Sequence, residues 1–380
     1  MPKLLIVATI EKTISEFFLP FGDYFRALGW QVDCISNYET DPFNECTEHF
    51  NHRFNIGWTR NPFDLMNFGV PVQQLRELVA KEKYDIVHVH TPVAAFVARL
   101  ALRELKSRQF IKVVYTAHGF HFYKGGNKIK NCAYLTAEKV ASRWTDHLVV
   151  INDEDYEAAI RWLLPLDKIT LMPGIGIDFQ QYNTSNIKGM QVKLVRDELG
   201  LREDDKLVLM VAEFVPRKRH ADVVKAMQIV NYSKVHIAFA GNGPLLEQIK
   251  KMANLSRTSE RIHFLGQRHD VPVLIAASCA TILPSQQEGL PRAIMESMAQ
   301  RVPVIGTNIR GSRDLLQNGC GIIVEVGDIA GLASAIDYLV SVGDAERENI
   351  VNNAYKRVSG YDIQNIQRMH EKLYKSLLKK

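Results

Sequence analysis

Residues 279–307 read CATILPSQQEGLPRAIMESMAQRVPVIGT. The run CATILPS is apolar and short, as a strand buried on both faces would be. Pro291 then suits a first helical turn, where a missing N–H costs nothing. A helix is expected through Arg292, Ala293, Ile294, Met295, Glu296 and Ser297, and VPVIGT follows as a second strand. Buried strands alternating with helices predict a parallel sheet covered on both sides.

The alternation continues along the whole chain. The first half holds the runs KLLIVAT, QVDCISN, YDIVHVHT, KVVYTAHG, HLVVIN and KITLMPG. The second half holds KLVLMVAEF, VHIAFAGNG, IHFLGQ, CATILPS, VPVIGT and CGIIVEV. Two such series predict an α/β protein of two doubly wound domains, and 380 residues are too many for one core. A polar segment, residues 176–205, contains one expected helix near Lys188 to Leu199 and marks the boundary. The domains are expected at 1–180 and 181–360. In the last segment Ile363, Ile366, Met369, Leu373 and Leu377 recur at helical spacing.

Composition narrows the class. Hydrophobic residues make up 46% and charged residues 23%, which fits a soluble globular protein. Five cysteines without a CxxC pair fit a reducing compartment rather than a disulfide framework or zinc site. KLLIVAT is too soon interrupted for a signal peptide. The longest nearly uncharged run, residues 271–285, falls short of the roughly 20 residues a spanning helix needs. A net charge of +5 without an aromatic-interleaved basic motif argues against nucleic acid. Between Ala101 and Thr145 nine basic residues (Arg103, Lys106, Arg108, Lys112, Lys124, Lys128, Lys130, Lys139, Arg143) face two acids, Glu104 and Glu138. This patch lies among Phe120, Phe122, Tyr123 and Tyr134. It is either a solvated face or a surface for anionic lipid headgroups or a lipid pyrophosphate.

In parallel sheets ligands bind beyond the carboxyl ends of the strands, and the candidate residues stand there. Gly289, Leu290 and Pro291 open a helix whose free amides form an anion site. Glu288 lies at its mouth and Glu296 two turns in, about 12 Å of helix away. Carboxylates flanking a phosphate site would repel a bare anion but accept hydrogen bonds from sugar hydroxyls, so a nucleotide-sugar fits. The alternative is a cap and a solvated acid. In VAEFVPRKRH, Lys218 first and Arg217 second would offset the charge of a leaving diphosphate; an exposed turn of charges is the plain alternative. Gly241 and Gly243 make a short Gly-x-Gly that lacks the third glycine of a dinucleotide fingerprint. Gly241 is expected in a tight turn that lets backbone approach the nucleotide. Gly174 and Gly176 suit a turn near the domain junction, and Gly311 with Arg310 and Arg313 would line the donor side of the cleft; ordinary turn duty is the alternative for each.

His118 ends the strand KVVYTA within a loop carrying Gly119, Gly125, Gly126 and aromatics. His88 and His90 share one face of the neighbouring strand. Three histidines invite a metal, but no carboxylate or thiolate accompanies them. Asp153-Glu154-Asp155 spells a D-x-D pair that could hold magnesium. Capping of the helix it opens explains it better, so no metal or cofactor is expected.

The segments HVHTP, TAHGFHFYKGG, VINDEDY, MPGIGID, VPRKR, AGNGP, FLGQRHDV, LPSQQEGLPRAIMESMA and TNIRGSRDLL resemble, in that order, the family-4 retaining glycosyltransferases. The likeness covers nearly the whole chain and is closest to the bacterial branch that builds exopolysaccharide and capsule. It implies a GT-B architecture, two Rossmann-like domains facing a cleft, with the last helix (361–380) crossing back to the first. It implies a UDP-sugar donor in the second domain and an acceptor in the first. The basic, aromatic patch suggests that the acceptor is a lipid-linked glycan on undecaprenyl diphosphate, met at the anionic inner leaflet by a cytoplasmic, peripheral enzyme. By motif, Glu288 would meet the donor hexose, Glu296 the ribose, and Lys218 with Gly289–Leu290–Pro291 the diphosphate; His118 would line the reacting sugar. Two departures stand out. Glu213 occupies the place of a common arginine, which Arg217 would replace, and ATIEKTISEFFLPF replaces the usual glycine pair of the first loop. The rival functions are a UDP-N-acetylglucosamine 2-epimerase and a nucleotide-sugar-binding regulator without turnover. The missing G-x-G-x-x-G argues against a dehydrogenase.

Overall fold

The computed structural model describes residues 1–38, 46–62, 64–107 and 111–379. Arg108 of the basic patch lies outside them. The chain divides into two compact units, Met1–Ile175 with Gln364–Lys380, and Gly176–Ile363.

The first unit is built on β1 (Lys3–Ile10), β2 (Gln31–Asn37), β3 (His52–Asn55), β4 (Ile86–His90), β5 (Lys112–Ala117), β6 (His147–Val150) and β7 (Ile169–Leu171). All pairings are parallel, in the order β3-β2-β1-β4-β5-β6-β7. Every residue of β4 and β6 is buried, as expected for strands with helices on both faces. β3 has no apolar run, only HRFN, and the sequence patterns do not announce it. It is an edge strand, exposed to partly buried, where selection for apolar side chains is weak. The last helix, Ile363–Leu378, belongs to this unit: the Gln367 amide donates to the Pro20 carbonyl (2.8 Å). Tyr374 packs on Phe25 and Trp30 and hydrogen-bonds His88 (2.5 Å).

The second unit holds β8 (Lys206–Val211), β9 (Val235–Ala240), β10 (Ile262–Gly266), β11 (Ala280–Leu283), β12 (Val304–Thr307) and β13 (Ile322–Val324). Its sheet is also all-parallel, in the order β10-β9-β8-β11-β12-β13. Each sheet therefore reverses its winding once, at β1/β4 and at β8/β11. At such a switch point the two following loops leave in opposite directions and open a crevice at the strand ends. The loops beyond β8 and β11 carry Lys218 and Glu288.

Candidate functional site

In the second unit, β8 ends at Val211 and its loop closes in a 3-10 turn, Pro216–Lys218. Gln286 N donates to the Arg217 carbonyl (2.9 Å), which fastens this loop to the one beyond β11. The Lys218 ammonium donates to Glu288 Oε1 at 2.5 Å, and Arg217 Nη1 lies 3.6 Å from Glu288 Oε2. Lys218 and Glu288 are largely shielded, with 14% and 9% of their side chains exposed, whereas Arg217 is open. Two cations thus converge on one carboxylate at the switch point. Glu213 is exposed; Arg217 is the second cation that reaches Glu288.

The helix beyond is Arg292–Ala299. Pro291 is its N-cap rather than part of its first turn, and no side chain caps it. A proline at that place has no hydroxyl or carboxylate to fold back, and the positive end of the helix dipole there suits an anion. The Arg310 guanidinium donates to the Glu288 carbonyl (3.2 Å). Gly311, at φ +74°, lets its chain pass so close that a Cβ there would lie 2.1 Å from the Gly289 oxygen. Gly289 and Leu290 are thereby backed by the loop after β12, and Leu290 also packs on the core.

Glu296 is buried. Burial pushes its carboxyl up, while Arg292, 3.4 Å away, and a hydrogen bond from the Tyr182 hydroxyl favour the carboxylate. Arg310, named from sequence beside Gly311, thus reaches the Glu288 loop, whereas Tyr182 was missed by motif. Tyr182 stands in the polar 176–205 segment and only folding brings it to Glu296. Gly241 (φ +149°) sits in the turn after β9, where a Cβ would lie 2.1 Å from the Ala212 oxygen. Phe214 N donates to the Asn242 carbonyl (2.8 Å) and Leu245 N to that of Phe214 (3.0 Å). The Gly-x-Gly therefore shapes the loop that delivers Arg217 and Lys218.

In the first unit His118 follows β5. Its Nε2 lies 3.2 Å from His90 Nδ1. His88 bonds Tyr374 and Thr116, and His370 Nδ1 donates to the Ile366 carbonyl (2.9 Å). Burial, reinforced by the neighbouring His370, brings the His118 imidazole down to about 4. Burial does the same to His370, about 4, and drives His88 and His90 well below their usual value. These shifts favour the neutral form of all four at pH 7. Two acids of the D-x-D segment, Glu154 and Asp155, bond the His118 loop. Asp155 accepts from Phe120 N (3.0 Å) and Glu154 from Lys124 N (2.8 Å), while Asn152 caps the helix through Asp155 N (2.8 Å). Among the described residues no group of three or more His, Cys, Asp or Glu side chains is placed so that it could hold a metal ion.

The histidine cluster predicts an acid-labile first unit. An unfolded imidazole titrates near 6.5. Below that pH the unfolded chain takes up protons that the buried imidazoles refuse. Stability is therefore full above about pH 6.5 and is lost as pH falls toward 4, by up to about 1.4 kcal/mol per pH unit for each histidine. Melts followed at pH 7 and pH 5 should show a clear fall in Tm. A smaller fall is expected in His370→Asn, and an equal one would contradict this account.

Residues 191–357 match the family described as Glycosyl transferases group 1, and residues 18–180 match Glycosyltransferase Family 4. EpsD of Bacillus subtilis (strain 168), assigned as a glycosyltransferase, is 32% identical over 89% of this chain and 87% of its own length. The chain belongs to the family-4 glycosyltransferases. This glycosyltransferase is also 31% identical, over 76% of its length and 74% of the other, to an Escherichia coli enzyme. That enzyme is UDP-Gal:alpha-D-GlcNAc-diphosphoundecaprenol alpha-1,3-galactosyltransferase. The fold of the present chain matches the crystal structure of Anabaena HepE in complex with UDP and glucose, with a TM-score of 0.81 at 18% identity over 99% and 100% of the two chains. No helix among the described residues of the glycosyltransferase is long and apolar enough to cross a membrane.

Proposed function

We propose that this glycosyltransferase moves a hexose or N-acetylhexosamine from a UDP-sugar to a hydroxyl of a glycan carried on undecaprenyl diphosphate, with retention, in exopolysaccharide or capsule assembly. The observation that carries it is the convergence of Lys218 and Arg217 on Glu288 beside an uncapped helix start. That arrangement has positive charge and a helix start without a side-chain cap for a diphosphate, and a carboxylate for sugar hydroxyls. The E. coli relative's named substrates and the UDP bound by HepE support the donor and acceptor classes.

The second unit takes the donor and the first the acceptor. The diphosphate draws Lys218 away from Glu288, and the freed carboxylate accepts from the hexose hydroxyls. Glu296, steadied by Tyr182, accepts from the ribose. As the anomeric C–O bond breaks, negative charge grows on the β-phosphate, where Lys218, Arg217 and the helix amides lower its energy. The acceptor oxygen bonds to the same face of the sugar and its proton passes to the leaving phosphate. Neutral His118 hydrogen-bonds the reacting sugar. Since side-chain cations supply the neutralising charge, turnover is expected to persist in EDTA. The basic, aromatic stretch from Ala101 to Thr145 would hold the enzyme at the anionic inner leaflet, as a peripheral protein on the cytoplasmic side.

The test is incubation with a panel of UDP-sugars, with and without a monosaccharide-diphosphate-lipid acceptor. UDP release that needs the acceptor, with an α-linked product from an α-donor, is expected. A C2-epimerised sugar formed without acceptor would establish the 2-epimerase instead. Binding of UDP-sugars with no turnover on any acceptor would establish a regulator.

A further inference from the structure

The first unit contains a cavity of about 370 Å³ that the reaction above leaves unused. It lies between the helices Pro92–Leu102 and Lys128–Ser142 and the 3-10 turn Leu65–Phe68. Its size is within the ~300–1,000 Å³ typical of small-molecule sites. The floor is made by Val93, Val97, Tyr115 and Phe120, all buried, and the walls by Phe96 and Tyr134. Such a surface gains by covering with hydrocarbon and offers little to a sugar.

The acid in the wall, Glu138, does not oppose an anion. Arg99, itself buried, donates to its Oε2 through Nη1 and Nη2, each at 3.0 Å. The mouth is cationic: Lys130 lines it, and Lys128 stands two residues earlier. Between them Ile129 is 82% exposed, and the turn that supplies Phe68 leaves Leu65 82% and Met66 71% exposed. Apolar side chains held outward between lysines suit the level of lipid headgroups. Phe120 and His121 of the cavity belong to the loop that starts at His118.

A half-open apolar slot with a positive mouth is shaped for one chain bearing one anionic head. A bilayer face would ask for a convex apolar patch instead. We propose that this cavity binds the phosphate-proximal isoprene units of the lipid-linked acceptor, with Lys130 and Lys128 toward its phosphates. The inference rests on the lipid-linked acceptor proposed above.

Two measurements test it. In calorimetry, farnesyl phosphate is expected to bind, farnesol more weakly, and inorganic phosphate without detectable heat. Ala137→Trp, which fills the slot, should abolish farnesyl phosphate binding. Lys130→Glu, at an exposed position that the fold tolerates, should weaken it at least about fivefold while sparing farnesol. In transfer assays with sugar diphosphates, acceptor KM should fall at least about tenfold from an ethyl to a farnesyl tail, and Ala137→Trp should erase that dependence. Equal KM for both tails would overturn the cavity assignment and leave the acceptor class standing. No transfer to either would overturn both. Loss of phospholipid-vesicle binding in Ala137→Trp, with farnesyl phosphate binding unchanged, would give the cavity to membrane acyl chains and overturn the proposal.

Discussion

Lys218→Ala is expected to lower kcat by about 10²–10³-fold, the usual cost of removing one donor aimed at developing charge. Lys218 is the better shielded of the two cations beside the Glu288 carboxylate. A charge held away from water acts through a lower effective dielectric, so its loss is not made good by solvent. Arg217 cannot take over fully, because it is open to water and lies 3.6 Å from the carboxylate against 2.5 Å for Lys218. Glu288→Ala should cost a similar factor for a different reason: the sugar hydroxyls lose their acceptor while the phosphate keeps both cations. The two defects separate by ligand. UDP alone should still raise the Tm of Glu288→Ala, by the mass-action stabilisation that any native-state ligand gives, but should do little for Lys218→Ala. Near-normal turnover in both variants, measured with saturating donor, would remove these residues from the site.

The parallel sheets were legible because a strand covered on both faces has no polar side to disguise it. IVHVH in β4 and ATIL in β11 are buried throughout and read as runs. β3 was not legible, since an edge strand of four residues, HRFN, carries no such run. For the site, motif spacing named Glu288, Lys218 and Glu296 but not their partners. Lys218 and Glu288 are 70 positions apart, and only the order β9-β8-β11 brings their loops together. Tyr182 was hidden in a polar segment because its role is a single hydrogen bond to one acid. The D-x-D segment was ambiguous in sequence for a related reason. Its Glu154 and Asp155 face backbone amides of the His118 loop, and amides leave no mark in side-chain patterns.

Gly311→Ala is expected to reduce kcat/KM about 10²-fold or more, although residue 311 belongs to neither acid motif. Its φ of +74° disfavours a side chain by roughly 1–2 kcal/mol. The larger effect is steric. The new Cβ would sit 2.1 Å from the Gly289 carbonyl oxygen and 3.2 Å from the Leu290 Cα. Both are backbone atoms, so no rotamer change relieves the contact; the Glu288–Leu290 loop or the 310–312 loop must move. Arg310, which grips the Glu288 carbonyl, would be pulled the same way. A displacement of about 1 Å in a positioned group is enough for a hundredfold loss, and here it falls on the diphosphate amides and Glu288 together. Gly189→Ala is the matching control: its Cβ would meet nothing within 4 Å, at the start of a helix. That change should leave kinetics alone and stabilise by up to about 1 kcal/mol. Circular dichroism should show both variants folded, with the donor KM raised only in Gly311→Ala. Wild-type kcat/KM in Gly311→Ala would mean that the Gly289 amide region does not hold the donor.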